Sequence, residues 1–131
     1  MPISLSVDHS NKLIHAEAVG AITRGDIEQH LSEERRAGGI SYRELIDATL
    51  ATAAFDAADV RSLIDTVRVL VREIDFGPTA VIVADDTTYG MLRMLETLLE
   101  GVCDVRPFRH AERNAAEQWL RTVPIRPRIE S

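Results

Sequence analysis

Ile3, Leu5 and Val7 alternate with Ser4, Ser6 and Asp8, so the chain opens on a half-buried strand. His9 to Lys12 is a polar turn, and Leu13 to Val19 reads as the return strand of a hairpin that Gly20 ends. Thr23 with Asp26 three positions later has the form of a capping box, the shorter Asp standing where Glu is usual. The helix it opens runs to about Ala37, is weakly patterned with Ile27 and Leu31 as its main apolar residues, and stops at Gly38-Gly39. Tyr42 to Asp47 predicts a short strand, and Ala48 to Phe55, almost all Ala and Thr, predicts a loop through which the backbone can approach a partner closely. Asp56 then suits an N-cap, with Asp59 in the first turn where negative charge complements the helix dipole. Val60, Leu63, Ile64, Val67, Leu70, Val71 and Ile74 recur at the spacing of one buried helical stripe. Arg61, Asp65, Arg68 and Arg72 lie opposite, spaced to pair along a solvated face.

Gly77-Pro78 breaks the chain, and Thr79 to Ala84 is a continuous apolar run of the kind found in interior parallel strands. Asp85-Asp86-Thr87-Thr88 caps a third helix with Met91, Met94, Leu95, Leu98 and Leu99 as its expected stripe, closed by Gly101. Cys103 to Phe108 is a last strand, and a fourth helix from about Ala111 to Thr122 is expected to bury Ala115, Ala116, Trp119, Leu120 and Val123. The order ββαβαβαβα predicts an α/β fold: a five-stranded mixed sheet with four main helices, right-handed crossovers and one antiparallel edge strand.

That order resembles the STAS fold of SpoIIAA-like anti-sigma-factor antagonists, shared in outline by lipid-carrying CRAL-TRIO domains. Tyr89-Gly90-Met91 with Arg93 and Glu96, and Val105 to Arg109 followed by Ala116, Trp119 and Leu120, resemble the uncharacterised bacterial branch of STAS-like proteins. The similarity runs from Ile3 to Val123, which makes residues 1–123 one STAS-like domain and 124–131 a Pro- and Arg-containing tail. The resemblance implies an Asp-Ser pair at the start of the second helix, with the Ser phosphorylated by a partner kinase. This chain has Asp56-Ala57-Ala58-Asp59 there. Ala57 offers no hydroxyl and Asp59 would repel a phosphate, so the switch is expected to be absent, with Thr49 and Thr52 as the nearest substitute acceptors.

Charge and chemistry narrow the field. The 131 residues carry a net charge of −6, which argues against a nucleic-acid partner, because phosphate binding needs a basic footprint. The one cysteine, Cys103, sits in an apolar run and reads as a core residue. Met1 to Val7 lacks the basic and long apolar regions of a signal peptide, and Ala80 to Ala84 is too short to span a bilayer, so no membrane insertion and a cytoplasmic location are expected. Asp47, Asp56, Asp85 and Asp86 fall near the carboxyl ends of the strands and form a candidate Mg²⁺ cluster, although capping and loop solvation explain them more simply. His9, His15, His30 and His110 show no H-x-H or H-E-x-x-H spacing, so no metal site is expected. Nucleophile elbow, P-loop and dinucleotide fingerprint are all missing from the sequence, which leaves no cofactor and no catalytic constellation to name.

Three functions from different classes follow, of which an enzyme is the least favoured. The first is a non-enzymatic regulatory or protein-interaction module, bound to a protein partner or a second copy of itself. Its expected surface comprises Asp47, Thr49, Thr52 and Asp56 of the small-residue loop with Arg61 and Arg68 of the next helix. The alternative is a carrier of a small apolar or acidic, lipid-like ligand, with Tyr89 and Arg93 as the polar entrance to a pocket lined by Met91 and Met94.

Overall fold

A computed structural model describes residues 2–125. Strand β1 (Ile3–Asp8) and strand β2 (Leu13–Ile22) form the antiparallel hairpin, with Ile3 opposite Ala18 and Asp8 opposite Leu13. Helix α1 (Arg24–Arg36) follows, then β3 (Arg43–Ala53), α2 (Ala57–Glu73), β4 (Thr79–Val83), α3 (Asp86–Leu98) and β5 (Val105–Arg109). A 3₁₀ turn at His110–Glu112 leads into α4 (Arg113–Thr122). The five strands make one sheet in the order β1-β2-β3-β4-β5, with every pair after the hairpin parallel. The expected architecture is therefore present, with one antiparallel edge strand and four main helices. Pro124 and Ile125 are exposed, and the rest of the predicted tail, 126–131, lies outside the described residues.

The two faces of the sheet are filled unequally. On one side α1, α2 and α3 close over Ala16, Ala18, Ile22, Ala48, Val81 and Val83, with Val60, Leu63, Val67 and Val71 of α2 fully or nearly buried among them. On the other, α4 alone packs Ala116, Leu120 and Trp119 onto Leu45, Ala80, Ile82 and Phe108. Arg43 fastens that helix from the sheet: its Nη1 donates to the carbonyls of Leu120 at 2.7 Å and Val123 at 2.5 Å. Those are carbonyls that a helix end cannot satisfy within itself.

The predicted capping box at Thr23 forms, and Asp56, expected as an N-cap, makes a full box as well. Thr23 Oγ1 accepts from Asp26 N–H at 3.2 Å while Asp26 Oδ2 accepts from Thr23 N–H at 2.9 Å, and Asp56 and Asp59 exchange the same pair of bonds at 2.9 and 3.0 Å. Cys103 is buried, as its apolar surroundings suggested.

Four details differ from the sequence expectations. Strand β2 runs past Gly20 to Ile22, the glycine being accommodated in the strand at φ +83°. Strand β3 does not stop at Asp47, and the expected loop Ala48 to Phe55 is mostly strand: Leu50 to Ala53 pair in parallel with Val19 to Ile22. What makes this workable is a register shift beyond Asp47, where Asp47 Oδ1 accepts from the Thr49 N–H at 3.0 Å and its hydroxyl at 2.7 Å. That carboxylate occupies the displaced backbone group, a known task of short acidic side chains at irregularities. The α3 stripe is rotated from the expected one, with Thr88, Leu92, Leu95 and Leu99 buried and Met94 and Leu98 exposed. In α4, Ala115 is exposed while Ala116 and Leu120 face the sheet.

Candidate functional site: a buried His–Glu–Glu cluster on an apolar cavity

Helix α1 has an interior face that the hydrophobic pattern did not show. Its two fully buried residues are His30 and Glu34, one turn apart, each 4% exposed. Glu44, second in β3 and 2% exposed, meets them from the sheet. His30 Nε2 lies 2.6 Å from Glu44 Oε2 and 3.2 Å from Glu34 Oε1. The Thr79 hydroxyl, from the first residue of β4, and the Glu34 carboxyl both hydrogen-bond to Glu44. His30 Nδ1 is buried and has no hydrogen-bond partner among the described residues.

Three ionisable groups out of water are costly unless they neutralise one another. Burial pushes the Glu34 carboxyl up to about 9, helped by the negative charge of Glu44 beside it. Burial also raises Glu44, to about 7, against the opposing effect of the bonds from Glu34 and Thr79. His30 moves down, desolvation outweighing the attraction of Glu34 and Glu33. At neutral pH the hydrogen-bonded Glu34–Glu44 pair therefore holds a proton, Glu34 being the more strongly raised of the two.

The trio forms part of the wall of a cavity of about 130 Å³ between the sheet and helices α1, α2 and α3. The rest of the wall is overwhelmingly apolar and includes Ile27, Ala51, Leu63, Val67, Leu92 and Leu95. Small side chains on β2 and β3, namely Ala18, Ala48, Ala51 and Ala53, leave the space that larger residues would fill. The cavity thus has an apolar body and one polar patch, the composition typical of a small-molecule site.

The residues singled out from sequence are scattered around this centre. Thr52 lines the cavity. Asp47 lies on the α4 side, its Oδ2 accepting from Arg113 Nη2 at 2.6 Å. Burial works against its ionised form, but the bonds from Thr49 and Arg113 outweigh this and hold the carboxyl below its ordinary range. Thr49 is engaged with Asp47, and Asp56 caps α2. Arg61 and Arg68 are exposed on α2; the pairing expected with Asp65 does not form, and neither they nor Arg72 make an ion pair within the described residues. Asp85 caps α3, and Asp86 pairs with Arg109, so the four aspartates do not converge on a cation. Among the described residues the metal-type grouping is His30, Glu34 and Glu44 instead.

Arg93 pairs with Glu96 at 2.6 Å, and Tyr89 is half-buried beneath the Arg109 guanidinium, 4.1 Å from the ring centroid. Tyr89, Arg93, Met91 and Met94 stand outside the cavity wall. The pocket expected beside the methionines is therefore replaced by one on the next stripe of α3, where Leu92 and Leu95 point inward. A signal for this cluster does exist in the sequence: Ile27, His30, Leu31 and Glu34 follow the spacing of one helical face, and Glu44 alternates with Ile46 and Ala48.

Comparison with protein-family models and with curated protein sequences finds no match. Among solved structures the chain is similar to an uncharacterised protein of the DUF3478 family with a SpoIIAA-like fold from Shewanella loihica PV-4. The two share 20% identity at a TM-score of 0.55, over 90% of this chain and 93% of that one. The likeness shows the fold: this chain has an α/β SpoIIAA-like architecture. None of its described helices is long and apolar enough to cross a membrane.

Proposed function

We propose that this chain is a non-enzymatic STAS-like binding module whose interior cavity takes up a small apolar ligand carrying one polar group. The observation that carries this reading is the cavity itself, about 130 Å³ of apolar-walled space between the sheet and helices α1, α2 and α3. An engineered apolar cavity of about 150 Å³ in another protein holds benzene, which sets the size of a fitting ligand. The polar group belongs at the His30–Glu34–Glu44 cluster, where His30 Nδ1 lacks a partner among the described residues. Toluene titrated into the purified protein should raise its melting temperature and shift methyl resonances of Leu63, Val67, Leu92 and Leu95. Ala51→Leu, which fills the cavity, should abolish both effects while leaving the protein folded. Unmoved resonances in the wild-type protein would refute the reading.

A second reading, a surface for a protein partner or a second copy, draws on one observation. Arg61, Arg68 and Arg72 are exposed on α2 beside exposed Val69, and they are not paired among the described residues. Such a stripe on an acidic chain suits an acidic partner surface. Reversing Arg61 and Arg68 to Glu should then weaken association at low salt far more than at high salt. Association that is indifferent to both changes excludes this surface.

A further inference from the structure

We infer that His30, Glu34 and Glu44 form a site for one divalent transition-metal ion, such as Zn²⁺, with an open coordination position facing the apolar cavity. This goes beyond the apolar-ligand reading and stands without it. The three candidate ligand atoms all lie within 4.8 Å of one another. First-row ions bind nitrogen and oxygen at about 2.0–2.2 Å, so ligand atoms sharing one ion stand roughly 2.9–3.5 Å apart. Here the two distances from His30 Nε2 are 2.6 and 3.2 Å. A displacement of a few tenths of an ångström would bring the set to coordination distance.

The scaffold fits that task. His30 and Glu34 stand on successive turns of a helix whose N-terminus is locked by a full capping box, so their separation is fixed by helix geometry. Glu44 stands in β3, hydrogen-bonded to a strand on each side. One imidazole and two carboxylates is a donor set for Zn²⁺, Fe²⁺ or Mn²⁺ rather than for Ca²⁺, which takes more oxygen ligands. A dication neutralises two buried carboxylates, which removes the cost of their burial more completely than one shared proton does.

The cluster also does not complete itself. His30 is 4% exposed and belongs to the cavity wall, and its Nδ1 is buried without a partner among the described residues. A set closed for purely structural reasons would ordinarily satisfy that atom. A metal-bound imidazole ordinarily donates its second ring N–H to an oxygen acceptor that orients it, so with the ion on Nε2 a water is expected to accept from Nδ1.

The test uses the full chain, free of purification tags and dialysed against a chelator. Calorimetric titration with Zn²⁺ and elemental analysis after gel filtration should give one ion per chain, and Zn²⁺ should raise the melting temperature. His30→Gln and Glu34→Gln should each weaken Zn²⁺ binding by more than about tenfold, while His110→Gln, a surface control, should not. Addition of Mn²⁺ to isotope-labelled wild-type protein should broaden amide resonances centred on residues 30, 34, 44 and 79, a measurement that needs no variant to fold. Failure of the wild-type protein to retain zinc overturns the inference, as does broadening centred on the surface histidines His9, His15 or His110. Toluene binding without zinc binding would remove this inference alone and leave the cavity reading standing.

Discussion

Replacing Glu34 by Gln should remove most of the pH dependence of stability between pH 7 and 8. In the folded chain Glu34 is raised to about 9 from an ordinary value of 4.5, first by burial and then by the charge of Glu44. The unfolded chain ionises this group near 4.5, so between the two values the folded state holds one more proton. Stability from this source is complete below the unfolded value and is lost as the pH rises through the folded one. Glu44, raised to about 7, acts in the same direction at lower pH. His30 acts oppositely, because its folded value lies below 6.5 and the unfolded chain takes up the extra proton as the pH falls. Above pH 7 both of those contributions are largely spent, and the window ends before a free thiol ionises in the unfolded chain. One proton then costs about 1.4 kcal/mol over one pH unit. Urea denaturation of chelator-treated protein at pH 7.0, 7.5 and 8.0, with a constant m-value, measures that loss. Gln keeps the shape and a donor toward Glu44 but cannot ionise, so its curve should be flat. A flat wild-type curve, or an equal slope in Glu34→Gln, would refute the assignment of the proton.

Other outcomes are equally specific. Val67→Asp places an unpaired charge among the core residues that line the cavity, and should cost several kcal/mol by thermal unfolding; unchanged stability would mean that the α2 stripe is misassigned. Arg43→Met removes the donor to the carbonyls of Leu120 and Val123 and should cost about 2 kcal/mol, with faster amide exchange confined mainly to α4. Incubation with an anti-sigma-type kinase and ATP should leave residues 56–59 unlabelled, since none of them carries a hydroxyl; stoichiometric labelling found by peptide mapping at Thr49 or Thr52 would restore a phospho-switch at a displaced position.

The fold was legible because its signals are local and mutually consistent. The capping box at Thr23, the N-cap at Asp56, an alternating first strand and the seven-residue stripe of α2 each specify one geometry, and the order of elements then leaves few topologies. The second half of β3 was hidden for a physical reason. Ala48 to Ala53 has the small residues of a loop, while its strand conformation depends on pairing with β2 and on a register shift supported by Asp47, neither of which is a local property. The candidate site was hidden by its own polarity. Searching α1 for apolar residues finds Ile27 and Leu31, and leaves out the polar side chains at the other two positions of the same face. A His and a Glu on an apolar stripe, with a further Glu at an inward strand position, are the pattern to seek when a helix scores poorly for amphipathicity. Which polar groups meet depends on the packing angle of α1 against β3, and that angle is not written in either segment.

The lone helix on the second face has a consequence for how the molecule opens. Of the residues lining the cavity, none belongs to α4, and the cluster under that helix is small, resting chiefly on Leu45, Ala80, Ile82 and Phe108. Undocking α4 would expose that face of the central strands while leaving the three-helix side and its polar trio assembled. The sheet thus carries two separate packing clusters, and the free energies of opening the two faces need not be equal. Because the sheet is common to both, whatever occupies the cavity and tightens β3 and β4 also stiffens the platform on which α4 rests. Were the proposed ligand to bind, exchange of the α4 amides should slow, a gauge of occupancy read on the opposite face of the sheet.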